Sequence, residues 1–248
     1  GEETGTGEIS GMAERAIPYD LRRRKGARHL RLGLDSWNRV IVSAPWHCPR
    51  DRVDDFVASH RDWIANERKR VGPVQSALGY LRRNPGIAAD GTVRPVRFAE
   101  AGAGSPGFEN SESVITFRIA AGEGAADSHF ARDLRKLAAI ILSRRTRTLA
   151  GRAGLSVERV SVRDQSGRWG SCSTGARISL NWRLLLVSPG CQDSVIHHEL
   201  AHLVEPNHSE AFYRVLDRLD PDRRRHDREL KVVAPMLFRV HPVWSATA

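Results

Sequence analysis

His198-Glu199-Leu200-Ala201-His202, followed six residues later by His208 with Pro206 in between, constrains this chain more than any other stretch. Residues four apart share one face of a helix, about 6 Å apart along its axis, so two imidazole nitrogens there can reach one ion. Pro206 has no backbone donor and biases the residue before it away from helix, so the helix has to stop there. The chain can then turn back and present His208 as a third nitrogen. Glu199 projects from the same turn, beside an ion rather than on it, where a base would take a proton from water. With 10 histidines in 248 residues, the five-residue pattern is expected about 0.02 times by chance, and about 0.001 times once His208 is required. Three protein donors with an open position describe a catalytic zinc site, whereas structural sites close with four.

The rest of the chain has to supply a scaffold. Residues 1–16 show no periodicity and are expected to be disordered. Leu30, Leu32 and Leu34, then Val40 and Val42 after an Asp35–Asn38 turn, alternate as half-buried antiparallel strands. Val53, Phe56, Val57 and Ile64 follow at helical spacing up to about Arg70. Residues 72–112 are rich in Gly, Pro, Ala and charge and read as a loose insertion. Val114–Ile119 reads as one strand. A long helix capped by Asp127 or Ser128 carries Phe130, Leu134, Leu137, Ala138, Ile141, Leu142 and Leu149 on its apolar face. A hairpin turns through Ser173-Thr-Gly175 into Ile178–Asn181, where a free edge strand could accept an extended peptide. Pro189 closes a short helical piece, and the histidine helix starts near Gln192 or Asp193. Ser209 caps the next helix, and Asp220-Pro221 opens the last.

Composition excludes more than it assigns. The three cysteines, without a Cys-x-x-Cys pair, argue against a disulfide framework or a four-cysteine zinc site. The longest apolar run, Leu137–Leu142, is too short to cross a membrane. With no secretory layout at Gly1–Gly11, a soluble cytoplasmic protein is expected. The net charge of +10 invites weak nucleic-acid association, yet it is spread evenly and no finger, helix-turn-helix or RNA-binding signature accompanies it.

The donor spacing is that of the metzincin pattern, although Glu205 stands where that pattern has Gly, and Met236 reads as a core residue rather than a methionine turn. Arg168-Trp-Gly-Ser-Cys-Ser173, Ile178-Ser-Leu-Asn-Trp-Arg-Leu184, Pro189, Asp193, Val195 to Leu203 and Asn207-His-Ser209 with Phe212 resemble the YgjP-like metallopeptidase family, related to the SprT and WLM zincins. Tyr213 stands where that family is expected to have Trp. The resemblance implies an α+β, zincin-like fold: N-terminal antiparallel strands and helices, then a helical catalytic part with a short sheet. A single domain over 17–240 with the insertion at about 72–112 is expected. The resemblance also implies His198, His202 and His208 as zinc ligands and Glu199 as the catalytic glutamate. Arg168, Arg183 and Tyr213 are candidates to contact the transition state or substrate, and Glu205, Asp193 and Asn207 to orient the imidazoles. His197, about 100° round the helix, is not expected to be a ligand. A peptide or protein is the expected substrate. Two alternatives stand beside it: a metal-dependent nucleoside triphosphate pyrophosphohydrolase, and a DNA-associated protease or binding module.

Overall fold

Alternation in residues 19–45 builds a three-stranded sheet, and the computed structural model, which describes residues 17–102 and 104–242, shows its order. The expected disordered segment 1–16 lies outside the described residues. Strands β1 (Tyr19–Arg24), β2 (Arg31–Leu34) and β3 (Val40–Pro45) lie in the order β1-β3-β2. The β2–β3 hairpin is antiparallel, and its turn is held by the Asp35 carboxylate, which accepts from the backbone N–H groups of Trp37 and Arg39. β1 instead runs parallel to β3, against the expectation of antiparallel strands throughout. Alternation dictates which face a residue takes, not which neighbour its strand pairs with. Val40, Val42 and Ala44 are fully buried with Val53, Val57 and Ile64 of helices α1 (Arg50–Ser59) and α2 (Arg61–Val71).

The described residues up to Arg70 and those from Val71 onward form two compact units, and the expected single domain over 17–240 spans both. The second unit starts with β4 (Gln75–Ser76), helix α3 (Ala77–Arg83) and strands β5 (Gly86–Ala89), β6 (Thr92–Glu100), β7 (Gly107–Asn110) and β8 (Ile115–Ile119). The last four make a sheet in the order β5-β6-β8-β7. Residues 72–112 are therefore mostly ordered. Their informative signal is Asp90-Gly91, a two-residue turn with φ of 53° and 87° between the paired Ala89 and Thr92. Asp-Gly is favoured there because both positions need positive φ.

Helix α4 (Glu123–Arg152) starts earlier than a cap at Asp127 or Ser128 would place it. Its expected apolar face holds: Phe130, Leu134, Leu137, Ala138, Ile141, Leu142 and Leu149 are all buried. A second three-stranded sheet has the order β10-β11-β9, from β9 (Arg159–Arg163), β10 (Gly170–Ser173) and β11 (Arg177–Asn181). β11 pairs with β9 on one side and β10 on the other, so 178–181 is the central strand and β10 lies at the edge. A short 3-10 turn (Trp182–Leu185) precedes helix α5 (Pro189–Ala201). Pro189 opens that helix at its first turn, where a missing N–H costs nothing, rather than closing a piece before it. Helices α6 (Glu210–Leu219), capped by Ser209 as expected, and α7 (Arg223–Leu237) follow, and β12 (Val240–His241) pairs in parallel with β4. Met236, expected in the core, is 38% exposed. The chain is α+β, and among the described residues no helix is long and apolar enough to cross a membrane.

Candidate metal centre

Helix α5 is held on several sides. The Ser188 hydroxyl caps its start by accepting from the Cys191 N–H at 3.3 Å, and Ile196, Leu200 and Ala201 are fully buried. Gln192, also fully buried, donates its amide to the carbonyls of Ala88 in β5 and Leu184, both at 2.9 Å. Asp193 is gripped by both sides of the Arg145 guanidinium from α4, Nε donating at 2.7 Å. A side chain at position 91 would meet that same guanidinium at 2.9 Å, so Gly91 of the β5–β6 turn makes room for it. Asp193 is thus an anchor of the helix rather than a partner for an imidazole.

The other face of α5 presents His198, Glu199 and, at the helix end, His202. His208 comes from the irregular segment between α5 and α6. The three histidines offer ring nitrogens all within 4.8 Å of one another, and Nε2 of His198 lies 3.1 Å from Nε2 of His208. Ring centroids are 5.0 Å apart for His198–His202, 5.1 Å for His198–His208 and 4.7 Å for His202–His208. All three rings pack on Phe212, a fully buried residue of α6, at centroid distances of 4.6–5.1 Å. The sequence identifies Phe212 as apolar and inward, but not as the floor of the cluster.

The electrostatics favour donation to a cation. Burial, with His202 and His208 nearby, pushes the His198 imidazole down to about 4, so it is neutral at pH 7. His202 is lowered by burial and by His208, against the opposing backbone hydrogen bonds to Glu205 and Pro206. The Pro206 carbonyl lies 3.1 Å from Nδ1 of His202, and a carbonyl can only accept. The proton therefore sits on Nδ1 and the lone pair on Nε2. For His202 the orienting group is thus a backbone carbonyl rather than a side chain of Glu205, Asp193 or Asn207, and no residue letter announces it. Converging imidazole nitrogens, with no carboxylate in their group, suit a borderline divalent ion. His197 is outside the group, as expected.

Glu199 is 5% exposed, and burial raises its carboxyl to about 7 against the opposing pull of Arg168. Edge strand β10 passes so close that a Cβ on Gly170 would sit 2.7 Å from the Glu199 carboxylate oxygen. The three histidines and Glu199 line an open cavity of about 740 Å³, together with Ser156, Ser171, Ser173 and Thr174. A smaller one of about 300 Å³ shares Gly170, His198 and Glu199 with it.

Of the other candidates, Arg168 lines the smaller cavity. Tyr213 is 40% exposed and nearly parallel to His208, with centroids 6.4 Å apart. Arg183 is elsewhere: 1% exposed, it donates to the carbonyls of Leu237 and Val240 and to Asp164. It ties the C-terminal segment to the strands and does not line either cavity. Cys172, half-buried in the larger cavity, has its thiol pushed up by burial and then by Glu199.

A family model described as YgjP-like, metallopeptidase domain, matches residues 28–232, segment 72–112 included. No curated protein and no solved structure matches the chain.

Proposed function

The chain belongs to the YgjP-like metallopeptidase family, and from that premise we propose that it is a zinc-dependent, zincin-like peptide hydrolase. The observation that carries this reading is the convergence of three imidazoles beside a buried carboxylate. His198, His202 and His208 would hold the ion. Bound there, zinc would supply Lewis acidity for carbonyl and water alike. Glu199 accepts the proton of the attacking water on a carboxylate oxygen and delivers it to the leaving amine. Its burial serves that exchange, because a carboxylate titrating near neutrality both takes and gives a proton. Arg168 and Tyr213 remain the candidates for steadying the developing oxyanion.

The substrate backbone is assigned to β10 rather than β11. The Trp169 carbonyl accepts from the Asn181 N–H at 2.8 Å, so the alternating antiparallel ladder turns the peptide groups of Gly170 and Cys172 away from β11. An extended peptide could add there as a further strand, in reach of Glu199. A triphosphate fits less well. None of the residues lining the larger cavity is Lys or Arg, so phosphates lying there would meet no cationic side chain in its walls.

Elemental analysis of wild type and His208→Ala, with a peptide-versus-nucleotide substrate screen on the same preparations, tests the reading. One zinc per chain, its loss in the variant and cleavage of peptides alone are the expected results. Nucleotide hydrolysis without peptide cleavage would overturn it.

A further inference from the structure

The smaller cavity beside Glu199 has a different character from the open one. Trp169, Val195, Leu216 and Leu230 wall it, and the three aliphatic residues are no more than 8% exposed, so the walls are set by the core. Trp169 is fixed in turn against Phe238, with centroids 4.7 Å apart. We propose that this cavity is the specificity pocket of the site and takes one medium-sized apolar side chain, Leu, Ile, Met or Phe, from a residue adjoining the bond that is cut.

This rests on the peptidase reading and adds to it a substrate class. Three observations carry the assignment. The cavity shares Gly170, His198 and Glu199 with the open cleft, so a side chain inserted in it keeps its own backbone at the reacting centre. A volume of about 300 Å³ is many times that of one water and at the small end of ligand pockets, which suits a single side chain. Of the charges that line it, Arg223 is already paired with Asp217 and feels Asp227. A charged side chain entering between the apolar walls would lose its hydration there. An apolar one loses only its contact with water, which is favourable.

The test uses the zinc-loaded full chain and a peptide library randomised around the cut, read by mass spectrometry. At one position adjoining the cut, Leu, Ile, Met and Phe should be preferred over Gly by about 10-fold or more in kcat/KM. Leu230→Phe, which fills the cavity, should move the preference to Ala and Gly. Leu230→Ala should extend it to Tyr and Trp. A second readout needs no turnover: N-acetyl-leucinamide, but not N-acetyl-glycinamide, should shift the NMR signal of the Trp169 indole, and Leu230→Phe should abolish the shift. Peptide cleavage with no apolar preference at that position, or a preference untouched by both variants, overturns the pocket and leaves the peptidase reading standing. Binding of the leucinamide by a chain that cuts no peptide keeps the pocket and removes the reading. Neither cleavage nor binding removes both.

Discussion

Two kinds of structure meet at the histidine cluster, and they are secured differently. His198, Glu199 and His202 ride on α5, whose position is set by a fully buried apolar row, a buried glutamine amide and the Arg145–Asp193 pair. His208 hangs from an exposed, irregular segment that is held by a few local bonds: Glu205 N–H to the Ala201 carbonyl, Ser209 N–H to that of Asn207, and His202 to that of Pro206. The helical half is held by contacts that involve no ion. The loop half owes its place to backbone contacts within one turn and to the Phe212 floor. Chemistry should therefore fail when the helical half is altered, and ion affinity should respond more sensitively to the loop.

The largest expected effect is on the helical half. Glu199→Gln should lower turnover by about 10²–10⁴-fold while the protein keeps its zinc, measured by steady-state kinetics and elemental analysis of one preparation. Zinc lost together with activity would break the separation of roles. Gly170→Ala should cost about 10²-fold in kcat, because the new methyl meets the Glu199 carboxylate, again without loss of metal. Arg145→Ala removes the guanidinium from Asp193 and should destabilise the second unit by about 1–3 kcal/mol in urea unfolding of the metal-free protein. An unchanged midpoint would mean that α5 does not need that anchor. The smallest effects compare the halves directly. Ser188→Ala and Ser209→Ala each remove a helix cap and should cost about 1 kcal/mol. Zinc affinity, followed by competition with a chelator, should weaken in Ser209→Ala alone, because that cap lies next to His208. Equal weakening in both would erase the contrast.

The residue letters reveal most where geometry is local. A spacing of four on a helix and a proline that ends it suffice to place His198, His202 and His208 near one another, and period 3.6 picks out the buried face of α4. What depends on long-range pairing stays hidden. Ile178 and Leu180 are inward by alternation, yet nothing in that pattern says that β10 rather than β11 is the edge. Backbone acceptors carry no letter, so the side chains of Glu205, Asp193 and Asn207 suggest themselves where the Pro206 carbonyl does the orienting of His202. Arg183 shows the converse: a guanidinium serves an oxyanion or a helix end equally well, and only its surroundings decide. Segment 72–112 reads as loose by its average composition, which masks one specific dipeptide, Asp90-Gly91, that turns β5 into β6.

That dipeptide bears on how far the centre is portable. Gly91 leaves space for the guanidinium that grips Asp193, Asp90 accepts from Arg94 and Arg144, and Ala88 receives the amide of Gln192. A fragment beginning at α4 would retain His198, His202, His208 and Glu199, yet leave a buried amide short of one of its two acceptors and the Arg145 guanidinium without its neighbouring turn. The module that could be grafted, truncated or recombined is thus not the histidine helix with its loop. It is that helix together with a hairpin roughly a hundred residues upstream, and the two have to be inherited as a pair.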